Sequence, residues 1–348
     1  MKTKTLSLLV AVVVAASAAL GAAQPKGAPS AEQLMKQKKA ELRQEYKKAA
    51  EMIRKTGTLV YAHDDEAKDE VVAAFDDGSM IVLSDTPGKD SRIVRIGTDK
   101  KVTVLLDGGK ELQRIAHEGK MGQLSAPDFD HASRTLVYSV RGVNGGGTAT
   151  FVYDLNSRET KEIFRYKSGQ QKLWFFYNAS AIAPGGKAVA GWGMQRQDPK
   201  TLRFLLGFLD VETNAMKEVV LPQGWGRQMG QMCWGPEGKE LYVGITAQQE
   251  AKIVRYSMDS GELETVYLQA MTPSVSADGK KLAFVQMGEL YVMDFSAERG
   301  GARRVAEGMI NNIKWNPSGD KLYVTAVADE EGRTRVFRID LPAEESGR

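Results

Sequence analysis

The chain has 348 residues, 42% of them hydrophobic and 26% charged, with 47 basic residues against 44 acidic ones. That is enough apolar material for a substantial core, and a nearly balanced charge without a basic stripe excludes a general nucleic-acid binder. The 35 glycines suit a fold with many tight turns.

Lys2 and Lys4 precede an apolar run from Leu6 through Leu20, and Gly21-Ala22-Ala23 offers small residues at a cleavage point that would leave Gln24 first. This is the layout of a secretory signal peptide over residues 1–23. It predicts a periplasmic or secreted protein whose mature formal charge falls from +3 to about +1 once Lys2 and Lys4 are lost. An uncleaved anchor is the competing reading, because the run approaches the length of a bilayer span. No other stretch is long and apolar enough to span a bilayer. The single cysteine, Cys233, can form no internal disulfide, and its neighbours Met232 and Trp234 mark it as a buried structural thiol in an apolar strand.

A short linker, Pro25 to Pro29, leads into a charged helix from about Ala31 to Lys55. Ser30 and Gln33 read as a capping box, and Met35, Leu42, Tyr46, Ala49 and Ile53 form one apolar stripe at helical spacing. The narrow stripe predicts a helix docked on the body or partly free of it, with a coiled-coil or partner-binding arm as the sharper alternative. Residues 24–56 are thus linker and helix.

The remainder, residues 57–348, is repetitive. Val275-Ser276-Ala277-Asp278-Gly279-Lys280-Lys281-Leu282-Ala283-Phe284 and Ile313-Lys314-Trp315-Asn316-Pro317-Ser318-Gly319-Asp320-Lys321-Leu322-Tyr323-Val324 each read as strand, tight turn, strand. Four more copies carry their markers at Gly78, Ser133, Gly186 and Gly238, and Ser133 stands where glycine is expected. Successive markers lie 40 to 55 residues apart, the period of a propeller blade of several strands. Third strands end in an acid, as at Asp154, Asp210, Asp294 and Asp340. The last unit lacks a fourth strand, and Thr58-Leu59-Val60-Tyr61-Ala62 is a spare one. Lending that strand to the last blade would close the ring without an exposed edge. The expectation is an all-β chain: a six-bladed β-propeller closed by an N-terminal strand and preceded by one charged α-helix.

These units resemble the TolB-like, WD-repeat-related propeller repeat, with Ser276-Ala277-Asp278-Gly279-Lys280-Lys281-Leu282-Ala283-Phe284 the nearest copy. The resemblance covers residues 57 to 341 and implies a periplasmic protein-binding or scaffold role. Related propellers also gate prolyl-oligopeptidase-type peptidases. Here no Gly-x-Ser-x-Gly elbow occurs, so a hydrolase domain is not expected.

Catalytic constellations are scarce. His63, His117 and His131 fall in three different slots of the repeat, which argues against a shared metal site. Asp128 and Asp130 alternate on one inner strand and read as a structural pair that could face the central channel. The acidic run Asp64-Asp65-Glu66, with Asp69 and Glu70, reads as a solvated loop and lacks the ligand spacing of a calcium loop, and Gly145-Gly146-Gly147 lacks the context of a phosphate loop. No catalytic residue, metal or cofactor is expected.

The loops entering the inner strands are richer. Trp174, Tyr177 and Asn178, then Trp225, Arg227, Gln228 and Gln231, then Asn311 and Asn312 occupy them. Met271 and Met309 fall in equivalent slots, and aromatic, arginine and methionine side chains are interface types. They predict a monomeric, non-enzymatic propeller that binds a protein or peptide partner in the cell envelope through its channel mouth. A carbohydrate- or small-molecule-active propeller enzyme is the alternative.

Overall fold

A computed structural model describes residues 30–62, 66–115, 121–142, 148–166, 172–196, 202–247, 250–295 and 301–341. The proposed signal peptide and linker, His63, His117, Asp64, Asp65 and the Gly145-Gly146-Gly147 tip lie outside the described residues.

Each repeat forms one antiparallel sheet. Strand β1 (Thr58–Tyr61) comes first. Blade I is β2 (Lys68–Ala74), β3 (Met80–Asp85), β4 (Arg92–Ile96) and β5 (Val102–Asp107). Blade II is β6 (Gly122–Asp130), β7 (Thr135–Gly142), β8 (Thr148–Asp154) and β9 (Thr160–Arg165). Blade III has a broken inner strand, β10 (Lys172–Trp174) and β11 (Ser180–Ile182), then β12 (Ala188–Arg196), β13 (Leu202–Asp210) and β14 (Met216–Val220). Blade IV is β15 (Trp225–Trp234), β16 (Glu240–Ala247), β17 (Glu250–Ser257) and β18 (Leu263–Leu268). Blade V is β19 (Ala270–Val275), β20 (Lys281–Gln286), β21 (Glu289–Asp294) and β22 (Arg303–Glu307). Blade VI is β23 (Ile310–Trp315), β24 (Lys321–Val327) and β25 (Thr334–Asp340), and β1 completes it. Thr58 pairs with Arg338 and Leu59 with Phe337, so the ring closes with the strand the sequence left spare.

The inner strands β2, β6, β11, β15, β19 and β23 touch one another in cyclic order and enclose the axis. Second and third strands are nearly continuous apolar runs because blades cover both their faces; Leu282, Ala283 and Phe284 are fully buried. At the first turns, Gly238, Gly279 and Gly319 sit at φ 68, 71 and 70°, which a side chain reaches only with strain. A Cβ on Gly279 would also come within 2.8 Å of Pro236 in the preceding turn. Blade II solves the missing glycine by moving the left-handed residue one place on, to Arg134 at φ 57°. Ser133 instead donates to Asp130 from both its backbone and its hydroxyl, at 2.9 and 2.6 Å.

Helix α1 (Ala31–Thr56) begins with the expected reciprocal Ser30–Gln33 box. Its last turns dock: Ala49, Ala50 and Ile53 are buried, Tyr46 lies on Gly332, and Arg54 donates to the Ala328 carbonyl at 2.7 Å. Ile53 joins the core between blades V and VI. Met35, at the other end of the stripe, is 65% exposed. A second helix, α2 (Gly108–Ile115), follows blade I and was not apparent in the repeat. It is wedged so tightly that a Cβ on Gly108 would lie 2.2 Å from the Gly122 carbonyl oxygen.

Ile53→Ala should cost about 2–4 kcal/mol of unfolding free energy, whereas Leu34→Ala on the undocked turn should change it by less than about 0.5 kcal/mol. Denaturant melts of the two variants check this.

Candidate functional site

The repeat gives every inner strand an equivalent residue five places before its turn marker: Ala73, Asp128, Ala181, Cys233, Ser274 and Lys314. Four are small and neutral, which leaves room on the axis for a long side chain. Lys314 of blade VI crosses that space and its Nζ donates to Asp128 Oδ1 of blade II at 2.5 Å. The other Asp128 oxygen accepts the Ile182 backbone N–H of blade III at 2.9 Å. The Asp128 and Lys314 side chains keep only 14% and 21% exposure. Burial lowers the Lys314 pKa, but Asp128 and its hydrogen bond more than offset this, so the ammonium titrates above its ordinary 10.5.

One ladder position toward the entry face, inner-strand bulges re-aim the backbone. Register slips between Ser125 and Asp128, Met229 and Met232, Met271 and Ser274, and Ile310 and Asn312, as bulges near ligand sites commonly do. Here Glu70, Asn178, Gln231 and Asn312 gather over Lys314 around a cavity of about 60 Å³. Asn312 donates through Nδ2 to Glu70 Oε1 and to the Val71 carbonyl, each at 2.9 Å. Burial pushes the Glu70 carboxyl above its ordinary 4.5, opposed by Lys314 and by the Asn312 hydrogen bond. Cys233 borders the same space; burial pushes its thiol up to about 12, so it stays protonated at neutral pH.

A second cavity of about 260 Å³ opens on the opposite face beneath the first turns, lined by His131, Pro184, Pro236 and Pro317 above Asp128 and Lys314. Burial holds His131 below its ordinary 6.5 against the pull of Asp130. The His131 ring packs edge-on against Phe75 and Phe129, each at 5.1 Å.

The sequence-predicted residues separate into three groups. Asn178, Gln231 and Asn312 line the entry mouth, and exposed Asn311 adjoins Asn312 on β23. The aromatics divide, Trp174 serving the frame while Tyr177 and Trp225 stay partly exposed. Trp174 is buried across β12 and β13, where a Cβ on Gly193 or Gly207 would come within 2.5 or 2.4 Å of its ring. Trp225 is half-buried with the Lys252 ammonium 5.5 Å from its ring, and half-buried Tyr177 carries Arg141 at 5.8 Å. The side chains of Arg227 and Gln228 lie outside the described residues. Of the predicted acids, Asp128 meets the channel, while Asp130 accepts from Ser133 and from the Gly185 backbone at 2.9 Å. Sequence reading placed Asp69 and Glu70 in a solvated loop, but both lie on β2, Asp69 fully buried and Glu70 at the mouth; it also missed Lys314, which was within reach because it shares its slot with Asp128. Among the described residues, no group of three or more histidine, cysteine or acidic side chains comes together as a metal site, and no helix is long and apolar enough to cross a membrane.

No family model matches the chain, and comparison with curated proteins yields no match. Solved structures do match. TolB from Acinetobacter baumannii is 15% identical over 79% of this chain, with a TM-score of 0.52. The fold is that of a TolB-like six-bladed propeller. This chain spans 64% of the length of that TolB chain. An oligogalacturonate lyase from Vibrio parahaemolyticus is 12% identical over 83% of this chain and 98% of its own, with a TM-score of 0.51. A gluconolactonase from Xanthomonas campestris is 16% identical over 82% and 95%, with a TM-score of 0.50. At such identities the likeness establishes the fold alone, which binders and enzymes share.

Lys314→Met leaves the Asp128 carboxylate enclosed without its counter-ion and should lower stability by about 3–5 kcal/mol, most of it restored in Lys314→Met/Asp128→Leu. Because the folded pKa of Glu70 lies above its ordinary 4.5, the folded chain holds more protons than the unfolded one between those values. Stability therefore falls as pH rises through that window. Glu70→Gln should abolish this decline, as read by thermal melts taken from about pH 4 to about pH 8.

Proposed function

We propose that this chain is an exported, non-enzymatic β-propeller that binds a protein or peptide partner in the cell envelope through the channel mouth on its entry face. One observation carries the reading. Polar inner-strand side chains converge on a cavity of about 60 Å³, which is room for the head of one side chain or a chain end and not for a whole substrate. A pocket that closes on a small-molecule substrate is typically about 300–1,000 Å³. Around the mouth, Tyr177, Trp225 and Asn311 supply a broader, partly exposed rim on which a partner surface could rest. Export rests on the Leu6–Leu20 run with its small-residue end. A monomer with one partner needs no further interface.

A second reading has its own support. Glu70 titrates above the ordinary carboxylate range beside the Lys314 ammonium, the pairing that acid–base catalysis on a small carbohydrate would use.

Replacing Asn311 or Asn178 with a photo-reactive phenylalanine analogue, and in a control Leu268 on an outer strand, tests the first reading in envelope extract. The expected result is one protein adduct from positions 311 and 178, none from 268, and loss of the adduct in Asn178→Ala/Gln231→Ala. Equal labelling from all three positions, or none from a folded protein, overturns it, and uronates and lactones then become the ligands to screen.

A further inference from the structure

The charges in the channel do not balance at the entry mouth. Lys314 is committed to Asp128 at 2.5 Å, and the second Asp128 oxygen is committed to the Ile182 backbone. Glu70 lines the same space, and among the described residues its one hydrogen-bond donor is the neutral Asn312 amide. A carboxylate largely withdrawn from water that shares its one cation with a second carboxylate takes up either a proton or a further cation. The exposed Asn178 and half-buried Gln231 amides border this cavity, and among the described residues no protein group donates to their side-chain oxygens, which are free to accept. A primary ammonium needs about three acceptors, which Glu70, Asn178 and Gln231 supply together. A carboxylate guest would instead have to take Lys314 from Asp128 while facing Glu70.

We propose that the mouth recognises a primary ammonium presented by the partner, with Glu70 as the residue that selects it and Asn178 and Gln231 as supporting acceptors. This rests on the reading of the mouth as a binding site and names the chemistry it takes. The ammonium could come from a lysine side chain or from a free chain N-terminus. As it enters, Glu70 gives up its proton to solvent and ionises, so binding releases protons wherever Glu70 is protonated beforehand.

Four short peptides separate the possibilities: Ala-Ala-Ala amide with a free N-terminus, acetyl-Ala-Lys-Ala amide, acetyl-Ala-Gln-Ala amide and acetyl-Ala-Glu-Ala amide. Binding is read from the side-chain amide resonances of Asn178, Gln231 and Asn312 in the full chain. Proton release is read by calorimetry in buffers of different ionisation enthalpy. Saturable shifts with one or both cationic peptides, at least about tenfold tighter than with the neutral one and about tenfold weakened in Glu70→Gln, support the proposal. Proton release should disappear in that variant, and the cationic peptide that binds identifies the source. Preference for the glutamate or glutamine peptide, no saturable shift, or unchanged binding in Glu70→Gln overturns it. Loss of this result with the cross-link to a partner intact removes only the ammonium. Ammonium binding without any cross-linked partner removes only the protein-binding reading.

Discussion

Closing six sheets into a ring forces six inner strands to face one axis, and whatever fills that axis sets what the molecule can do. A channel-facing slot can be small and neutral, or it can hold charges that satisfy one another. Here four slots are small and two carry Asp128 and Lys314, joined across the axis at 2.5 Å. The pair contributes little net stability, since desolvation consumes most of the attraction. Its consequence is spatial: the lysine borders both channel cavities, about 60 Å³ on the entry face and about 260 Å³ on the other. With the axis occupied by this pair, the open space among the described residues is divided between the two ends of the channel.

The frame was legible because repetition makes it so. Turn glycines recur in five blades, acids end the third strands of four, and alternating strands accompany both, so the copies together vote for one register. Even the closure could be read, since a missing fourth strand at one end and a spare strand at the other are complementary. The residues that carry chemistry break the repeat instead of following it. Lys314 and Asp128 stand out only when the six copies are aligned by turn marker and one slot shows a base and an acid among Ala73, Ala181, Cys233 and Ser274. Glu70 is harder to find. The bulge between Val71 and Ala73 shifts β2 by one residue against β3, so counting back from Gly78 does not bring Glu70 to the channel.

Trp174 and Phe176, within the aromatic stretch that ends at Tyr177, belong to packing. Aromatics in an entry loop suggest an interface, and so does their number. Gly191, Gly193 and Gly207 on β12 and β13 are the compensating signal: strands without side chains make a slot that a large ring must fill. Trp174 and Phe176 stack there at 6.0 Å and hold blade III against blade II, where its own inner strand is interrupted. Glycine opposite an aromatic in an adjacent strand is evidence for packing, and it outweighs the composition of the loop.

Ring closure also explains where the buried polar groups are. Strands β23 to β25 come from the far end of the chain to meet blade I, and of blade VI only β1 is joined to that blade by a short segment, so contacts across this seam have large sequence separation and are slow to form. Side-chain hydrogen bonds specify that seam. Thr325 accepts from the Val71 backbone at 2.9 Å, and Asp69 accepts from Ser84 at 2.9 Å and pairs with Arg335. Asn316 donates to Asp76 at 2.8 Å. Asn312 belongs to this set through Val71 and to the mouth through Glu70. The group that helps align the first and last blades therefore also orients the Glu70 carboxylate, so the geometry at the mouth exists only in the closed ring.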